Sequence, residues 1–346
     1  MTRSLDPQDM HGAIAAFPDH LLEGWTRGEA AEGFGLRAQD FDGVVVCGMG
    51  GSAIGGDLVR ALAETEAPRP FVVVRGYALP QWVGERSLVV ASSYSGGTEE
   101  TLSCYADARA RRARIVAVTA GGELAARAAS DGVQTVTIPG GLQPRAALGY
   151  SLGVLLRLSR AMGLMGLPDG EFEAALAEAR QRAQALGRDD RANPALELAK
   201  SWDGHLPVVY SGVGLLEAVN LRWRTQIHEN AKHPAYGNLF PELDHNEIMG
   251  YEAAPPDLLR RTSVVVLRDR EDHPQVQRRF AVTRDVVAHG VEAWREVESE
   301  GESRLARVLS LVQLGDWASY WLAARKGVDP TPVESIQRLK AQLAGA

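Results

Sequence analysis

Short unbroken apolar runs punctuate the first 140 residues of this chain, at Gly43 to Gly48, Phe71 to Val74, Leu88 to Ser92, Ile115 to Thr119 and Gln134 to Ile138. Runs that stay apolar instead of alternating belong to strands covered on both faces, and the helical patterns between the middle members have crossover length. The pattern predicts one doubly wound parallel α/β domain ending near Pro139, preceded by an amphipathic segment from about Pro7 to Trp25.

Three helix-favouring stretches follow, at Leu148 to Met162, Phe172 to Leu186 and Pro194 to Trp202, and read as a helical bridge. The apolar run then recurs at Leu206 to Tyr210, followed by Ser211-Gly212-Val213-Gly214 and a helix over Leu215 to Thr225, with further strands expected at Ser263 to Leu267 and Val291 to Val297. This second half reads as a diverged copy of the first. Arg304 to Ala324 and Pro332 to Leu343 close the chain as helices. In the last of them Ile336, Leu339 and Leu343 recur at three and four, which predicts an apolar face docked on the body with Lys340 beside it. The expected division is residues 1–150, a bridge over 151–203, and a second unit over 204–346.

A length of 346 residues suits two cores of this kind. The net charge of −7, with acids and bases interspersed, argues against a nucleic-acid or membrane-surface protein and leaves room for an anionic small ligand held by local N–H groups. The two cysteines, Cys47 and Cys104, indicate neither a disulfide framework nor a thiolate metal site. Met1 to Gln8 lacks a leader pattern and no stretch approaches the roughly 18 apolar residues of a spanning helix, so the expectation is a cytoplasmic protein without a membrane partner.

Two loops carry the candidate chemistry. Gly48-Met49-Gly50-Gly51-Ser52 and Ser93-Tyr94-Ser95-Gly96-Gly97-Thr98 each follow a strand and open a helix. Backbone N–H groups and the positive helix end would face a bound anion, and the three hydroxyls of the second loop, Ser93, Ser95 and Thr98, would converge on one phosphate. Gly48-x-Gly50-x-x-Ala53 also has the form of a dinucleotide fingerprint. That reading needs an acid after the second strand, where Arg75 stands, and it leaves the second loop without a role. A metal site among His228, Glu229, His233, Asp244, His245 and Glu247 is disfavoured, because His228 and His233 are five apart and do not share a helical face.

These loops, together with Pro144-Arg145-Ala146-Ala147, Glu229-Asn230-Ala231-Lys232, Phe240-Pro241-Glu242-Leu243-Asp244-His245-Asn246-Glu247 and the terminal Pro332-Val333 to Leu339-Lys340, resemble the bifunctional phosphoglucose/phosphomannose isomerases, built from two sugar-isomerase (SIS) domains. Gly97 departs from the pattern, which carries a small polar residue there. The resemblance implies two doubly wound parallel-sheet SIS domains of flavodoxin-like order, and an aldose-ketose isomerase that uses no metal and no organic cofactor. It implies glucose 6-phosphate, mannose 6-phosphate and fructose 6-phosphate as substrates. By the matched motifs Glu229 is the base that moves a proton between C1 and C2, Arg145 stabilises the enediolate, His245 opens the sugar ring with Lys340 as helper, and Gly51, Ser52, Ser93, Ser95 and Thr98 hold the phosphate. The resemblance further implies a homodimer in which His245 faces the partner's Glu229. A sugar-phosphate-binding regulator or transferase module of the same fold is the alternative, one with no use for Glu229, Arg145 and His245 together.

Overall fold

The computed structural model describes residues 5–344. Helices α1 (Met10–Ala15) and α2 (Phe17–Arg27) lead into β1 (Gly43–Cys47), α3 (Gly50–Ala63), β2 (Phe71–Val74), β3 (Ser87–Ser93), α4 (Glu99–Ala110), β4 (Arg114–Thr119), α5 (Gly122–Ser130) and β5 (Gln134–Thr137). The strands form a parallel five-stranded sheet in the order β2-β1-β3-β4-β5, the flavodoxin-like arrangement. Unbroken apolar runs are explained by the two faces. Val44, Val46, Leu88, Val90, Val116 and Val118 pack on one side, and Val45, Cys47, Val89, Ala91, Ile115 and Ala117 on the other, against Leu102 and Tyr105.

After a 3-10 turn at Pro144–Ala147 come α6 (Leu148–Ala161), α7 (Glu171–Leu186) and α8 (Pro194–Trp202). The second sheet follows: β6 (Leu206–Gly212), α9 (Glu217–Ala231), β7 (Tyr236–Phe240), α10 (Pro256–Leu259), β8 (Thr262–Arg268), α11 (Pro274–Val287) and β9 (Ala293–Glu298), then α12 (Arg304–Lys326) and α13 (Glu334–Ala344). Its order, β7-β6-β8-β9, repeats the first four places of the first sheet, again all parallel. Sequence reading missed β7 and α11. The inward faces of both sheets meet in one apolar cluster that runs through α2, α6, α7, α8, α9 and α12, so the segment expected as a bridge lies inside a shared core. One expectation fails: the apolar face of α13 is not docked. Ile336, Leu339 and Leu343 are 42%, 56% and 59% exposed among the described residues, the exposure of the last two exceeding that of Ile336 in the first turn.

At the C-terminal ends of β6 and β8, where a sheet of this topology opens a crevice, the second half carries charge in place of hydroxyls. Arg307 Nε donates to Asp269 at 2.8 Å, both residues being buried. Asp272 accepts from the Asp269 N–H at 2.8 Å. Burial pushes the Asp272 carboxyl up to about 6, against the pull of that N–H. The folded chain thus keeps a proton there that the unfolded chain releases near its ordinary value, and the associated stability is present below that value and lost as pH rises through about 6. Asp272→Asn keeps the acceptor and removes the titration. In urea denaturation, the midpoint of D272N relative to wild type is expected to rise between pH 4.5 and pH 7.5; a constant difference across that range would contradict the assignment.

Candidate active site

The two loops sit side by side at the C-terminal ends of β1 and β3, the point where successive crossovers leave toward opposite faces. Helix α3 begins at Gly50, earlier than its apolar run suggests, so the loop glycines form its first turn. Buried Ser52 ties the loops together, its Oγ accepting the Tyr94 N–H at 3.1 Å. Ser93 Oγ lies 2.9 Å from Thr98 Oγ1 and accepts the Gly96 N–H at 3.1 Å, while Ser95 Oγ accepts the Gly97 N–H at 3.3 Å. Thr98 occupies the N-cap of α4, yet its hydroxyl pairs with Ser93 instead of capping. The first-turn N–H groups of α4 are left without a side-chain cap, as an oxyanion ligand requires.

Gly51 brings this cradle against the Pro144–Ala147 turn: a Cβ there would lie 2.6 Å from the Pro144 carbonyl. The next residue, Arg145, is 3% exposed and almost fully spoken for. Its Nε donates to Asn230 Oδ1 at 2.6 Å, Nη2 donates to the carbonyls of Pro330 (2.6 Å) and Thr331 (3.0 Å), and Nη1 donates to Glu229 Oε2 at 3.3 Å. A guanidinium has five N–H groups, so one on Nη1, beside the Glu229 carboxylate, has no partner among the described residues. Burial lowers the Arg145 pKa, and Glu229 opposes that shift.

Glu229 stands at the C-terminal end of α9, where the helix dipole favours cations. It opens on a cavity of about 540 Å³ lined also by His228, Lys232, Asp329, Val333 and Ile336. Lys232, in the left-handed conformation (φ 48°) that ends α9, donates from Nζ to the Glu229 carbonyl at 2.7 Å and to the Pro330 carbonyl at 2.8 Å. Loss of water around the ammonium first, and the nearby Arg145 second, push Lys232 down to about 8.

A second layer, which sequence reading missed, holds Arg145 from behind. Asn230, fully buried, donates from Nδ2 to Ser319 Oγ at 2.9 Å, which fixes Oδ1 toward Arg145. Arg222 donates to the Arg145 carbonyl at 3.1 Å and to Asp316 at 2.7 Å, and Gln226 donates to the same carboxylate at 3.0 Å. Breaking a buried pair such as Arg222–Asp316 costs about 3–5 kcal/mol. The signal was available: Arg222, Gln226 and Asn230 recur every fourth residue and so share one helical face.

His245 stands apart from Glu229 along the chain that carries both. Glu229 precedes β7, whereas exposed His245 lies just past its far end, in a turn held by Asp244 to Arg279 (2.9 Å) and Thr283 (2.8 Å). The strand between them spans roughly 16 Å at the usual rise per residue. Lys340 stands exposed on α13. Among the described residues no group of three or more His, Cys, Asp or Glu side chains is arranged to hold a metal ion, and no helix is long and apolar enough to cross a membrane.

Known proteins resemble this chain over nearly its whole length. The bacterial phospho-glucose isomerase C-terminal SIS domain family matches residues 191–343. The chain is 42% identical over 338 residues to a bifunctional phosphoglucose/phosphomannose isomerase of Caldicellulosiruptor bescii, covering 97% of this chain and 99% of that protein. It is 37% identical over 304 residues to one from Aquifex aeolicus, covering 88% and 91%. Among solved structures, a Thermus thermophilus protein described as hypothetical matches with a TM-score of 0.75 at 18% identity, over 98% of this chain and 91% of that one, a likeness of fold.

The two adjacent glycines of the second loop differ in what they tolerate. Gly97 has a φ outside the left-handed region and nothing within 4 Å of an added Cβ; Gly96 has φ 70° and a Cβ there would fall 1.8 Å from the Gly121 carbonyl. Gly97→Ser is expected to change stability by less than about 0.5 kcal/mol, and Gly96→Ala to cost about 2–5 kcal/mol, in urea denaturation. Equal effects from the two would show that the loop's conformation is not set by Gly96.

Proposed function

The chain belongs to the bifunctional phosphoglucose/phosphomannose isomerase family, and on that premise we propose how its residues divide the work. It interconverts glucose 6-phosphate and mannose 6-phosphate with fructose 6-phosphate. The observation that carries the assignment of roles is the placement of Glu229 beside the one unpartnered N–H of Arg145, next to the hydroxyl-lined loops.

The 6-phosphate takes the cradle of Gly51, Ser52, Ser93, Ser95 and Thr98. Binding energy from that remote group fixes the reacting carbons over the base. In the open-chain sugar Glu229 removes the proton from C2 of the aldose and returns it to C1, or the reverse from the ketose. The electron pair released becomes the C1–C2 double bond of a cis-enediolate, whose developing oxyanion the free Arg145 N–H stabilises. Rotation of the enediolate about C2–C3 turns one face or the other of C2 toward the proton donor, so that reprotonation yields glucose or mannose configuration. Fixed donors of this kind need no reorganisation as charge develops.

Ring opening requires an acid-base group, and His245, whose motif matches the family's, is the residue we assign to it. Its separation from Glu229 within a chain supports supply from a second subunit, with the exposed apolar face of α13 carrying Lys340 to the same cleft. The working unit is then a homodimer with shared sites.

Glu229→Gln is expected to lower kcat for fructose 6-phosphate formation by about 10²–10⁴-fold, measured separately from each aldose with EDTA present, while fructose 6-phosphate still binds. Retention of full activity would overturn the role of Glu229. Sharing of the site has its own measurement. Co-expressed E229Q and H245Q chains, each inactive alone, are expected to recover about a quarter of wild-type activity, since random pairing makes half the dimers mixed and each has one intact site. No recovery, with mixed dimers demonstrated, would place His245 in its own chain's site or in none.

A further inference from the structure

The peptide joining α12 to α13, Val328 to Pro332, is a strap that lines the cavity Glu229 faces, through Val328, Asp329 and Pro332. Two cationic side chains converge on one of its carbonyls. Pro330 O accepts from Arg145 Nη2 at 2.6 Å and from Lys232 Nζ at 2.8 Å, and Thr331 O accepts the other Nη2 hydrogen at 3.0 Å. Lys232 reaches the strap from the end of the helix that bears the base, and its remaining bond is to the carbonyl of Glu229 itself.

The backbone at Lys232 makes the choice of side chain informative. A φ of 48° at a helix C-terminus is where glycine is most favoured, because a Cβ is a liability there. A lysine held in that conformation gives up backbone ease, and what it gains here is the bridge. The carbonyls of Ala231 and Lys232 are already served by Lys326 Nζ, at 2.9 and 3.2 Å. The end of α9 therefore does not depend on Lys232 alone for capping.

We propose that Lys232 is a positioning residue, which clamps the Val328–Pro332 strap over Glu229 through the Pro330 carbonyl and thereby closes the wall of the sugar pocket from which α13 departs. The role in the pocket rests on the isomerase reading of Glu229; the clamp itself does not. Since the strap contacts substrate without joining the proton transfer, its loosening weakens ground state and transition state alike, which raises KM and spares kcat.

The test compares Lys232→Met, Lys232→Gly and Lys232→Arg in the full chain by amide hydrogen exchange and by steady-state kinetics with fructose 6-phosphate. K232G removes the side chain while favouring the backbone conformation, so it separates loss of the clamp from failure to fold. The amides of Val328, Asp329, Thr331 and Val333 are expected to exchange about tenfold faster in K232M and K232G, the factor that one charge-assisted hydrogen bond is worth at its lower end. The arginine variant should stay near wild type. KM should rise severalfold in the first two, with kcat within about twofold. Unchanged strap exchange in K232M and K232G would overturn the clamp, even if KM moved. A fall in kcat of about 10² or more with KM unchanged would overturn the positioning role in favour of direct chemistry. Were the wild type to turn over neither sugar phosphate, the isomerase reading would fall while the exchange result still decided whether Lys232 holds the strap.

Discussion

A single buried guanidinium joins the parts of this protein that the chain makes separately. Arg145 comes from the turn after the first sheet, Glu229 and Asn230 from α9 of the second, and Pro330 and Thr331 from the strap after α12. A charge so far from water is tolerable only when its donors are met, so any displacement of α9 or of the strap leaves donors unsatisfied. The functional consequence follows from the same constraint. With the other four N–H groups committed, the fifth has little freedom of direction, and it points from the side where the Glu229 carboxylate lies. Asp316 and Ser319 on α12 extend the constraint into the shared core by holding Arg222, Gln226 and Asn230. Packing energy from the apolar cluster is thereby coupled to the orientation of the reacting groups.

The two sheets share a topology and put it to different use. At the first switch point hydroxyls and helix N–H groups without a side-chain cap lie together with no charged side chain among the loop residues. At the second, Asp269 and Arg307 satisfy each other, so the crevice is filled by the protein's own charge pair. The repeat thus preserves the architecture while the two switch points differ in chemistry. From the second copy, α9 brings Glu229 to Arg145, the residue after the Pro144 carbonyl that Gly51 packs against.

Much of this was legible in the sequence, and the exceptions have physical causes. Strands buried on both faces, such as β1, β3, β6 and β8, announce themselves as apolar runs, and all five strands of the first sheet and three of the second were placed correctly. β7 escaped because it is an edge strand, half covered, interrupted by Gly237 and Asn238, with only Phe240 fully buried. α11 escaped because its buried residues, Val276, Phe280, Thr283 and Val287, are outnumbered by arginines and other polar groups on its open face. The phosphate loops were readable since hydroxyl and glycine chemistry is local. Arg222 and Asp316 were not, for a buried ion pair between distant segments looks in sequence like two ordinary surface charges. The docking expected of α13 failed for a different reason. Periodicity states that a face wants a partner, and it does not state in which molecule the partner lies.

That last distinction bears on how the whole catalyst is organised. α13 presents a row of exposed apolar side chains, and the turn bearing His245 is exposed at the end of β7 opposite to Glu229. Both matched the family's pattern; Val333 and Ile336 line the Glu229 cavity, while Leu339 and Leu343 stay exposed. A base held rigidly by its own chain and a ring-opening group supplied by another would make the two chemical stages respond differently to association. On that proposal proton transfer would depend on the Arg145 network, whose bonds to Asn230, Pro330, Thr331 and Glu229 are made within one chain, and ring opening would depend on contact between chains. Dilution would then cost the cyclic sugar its turnover before it disturbed the enolisation centre.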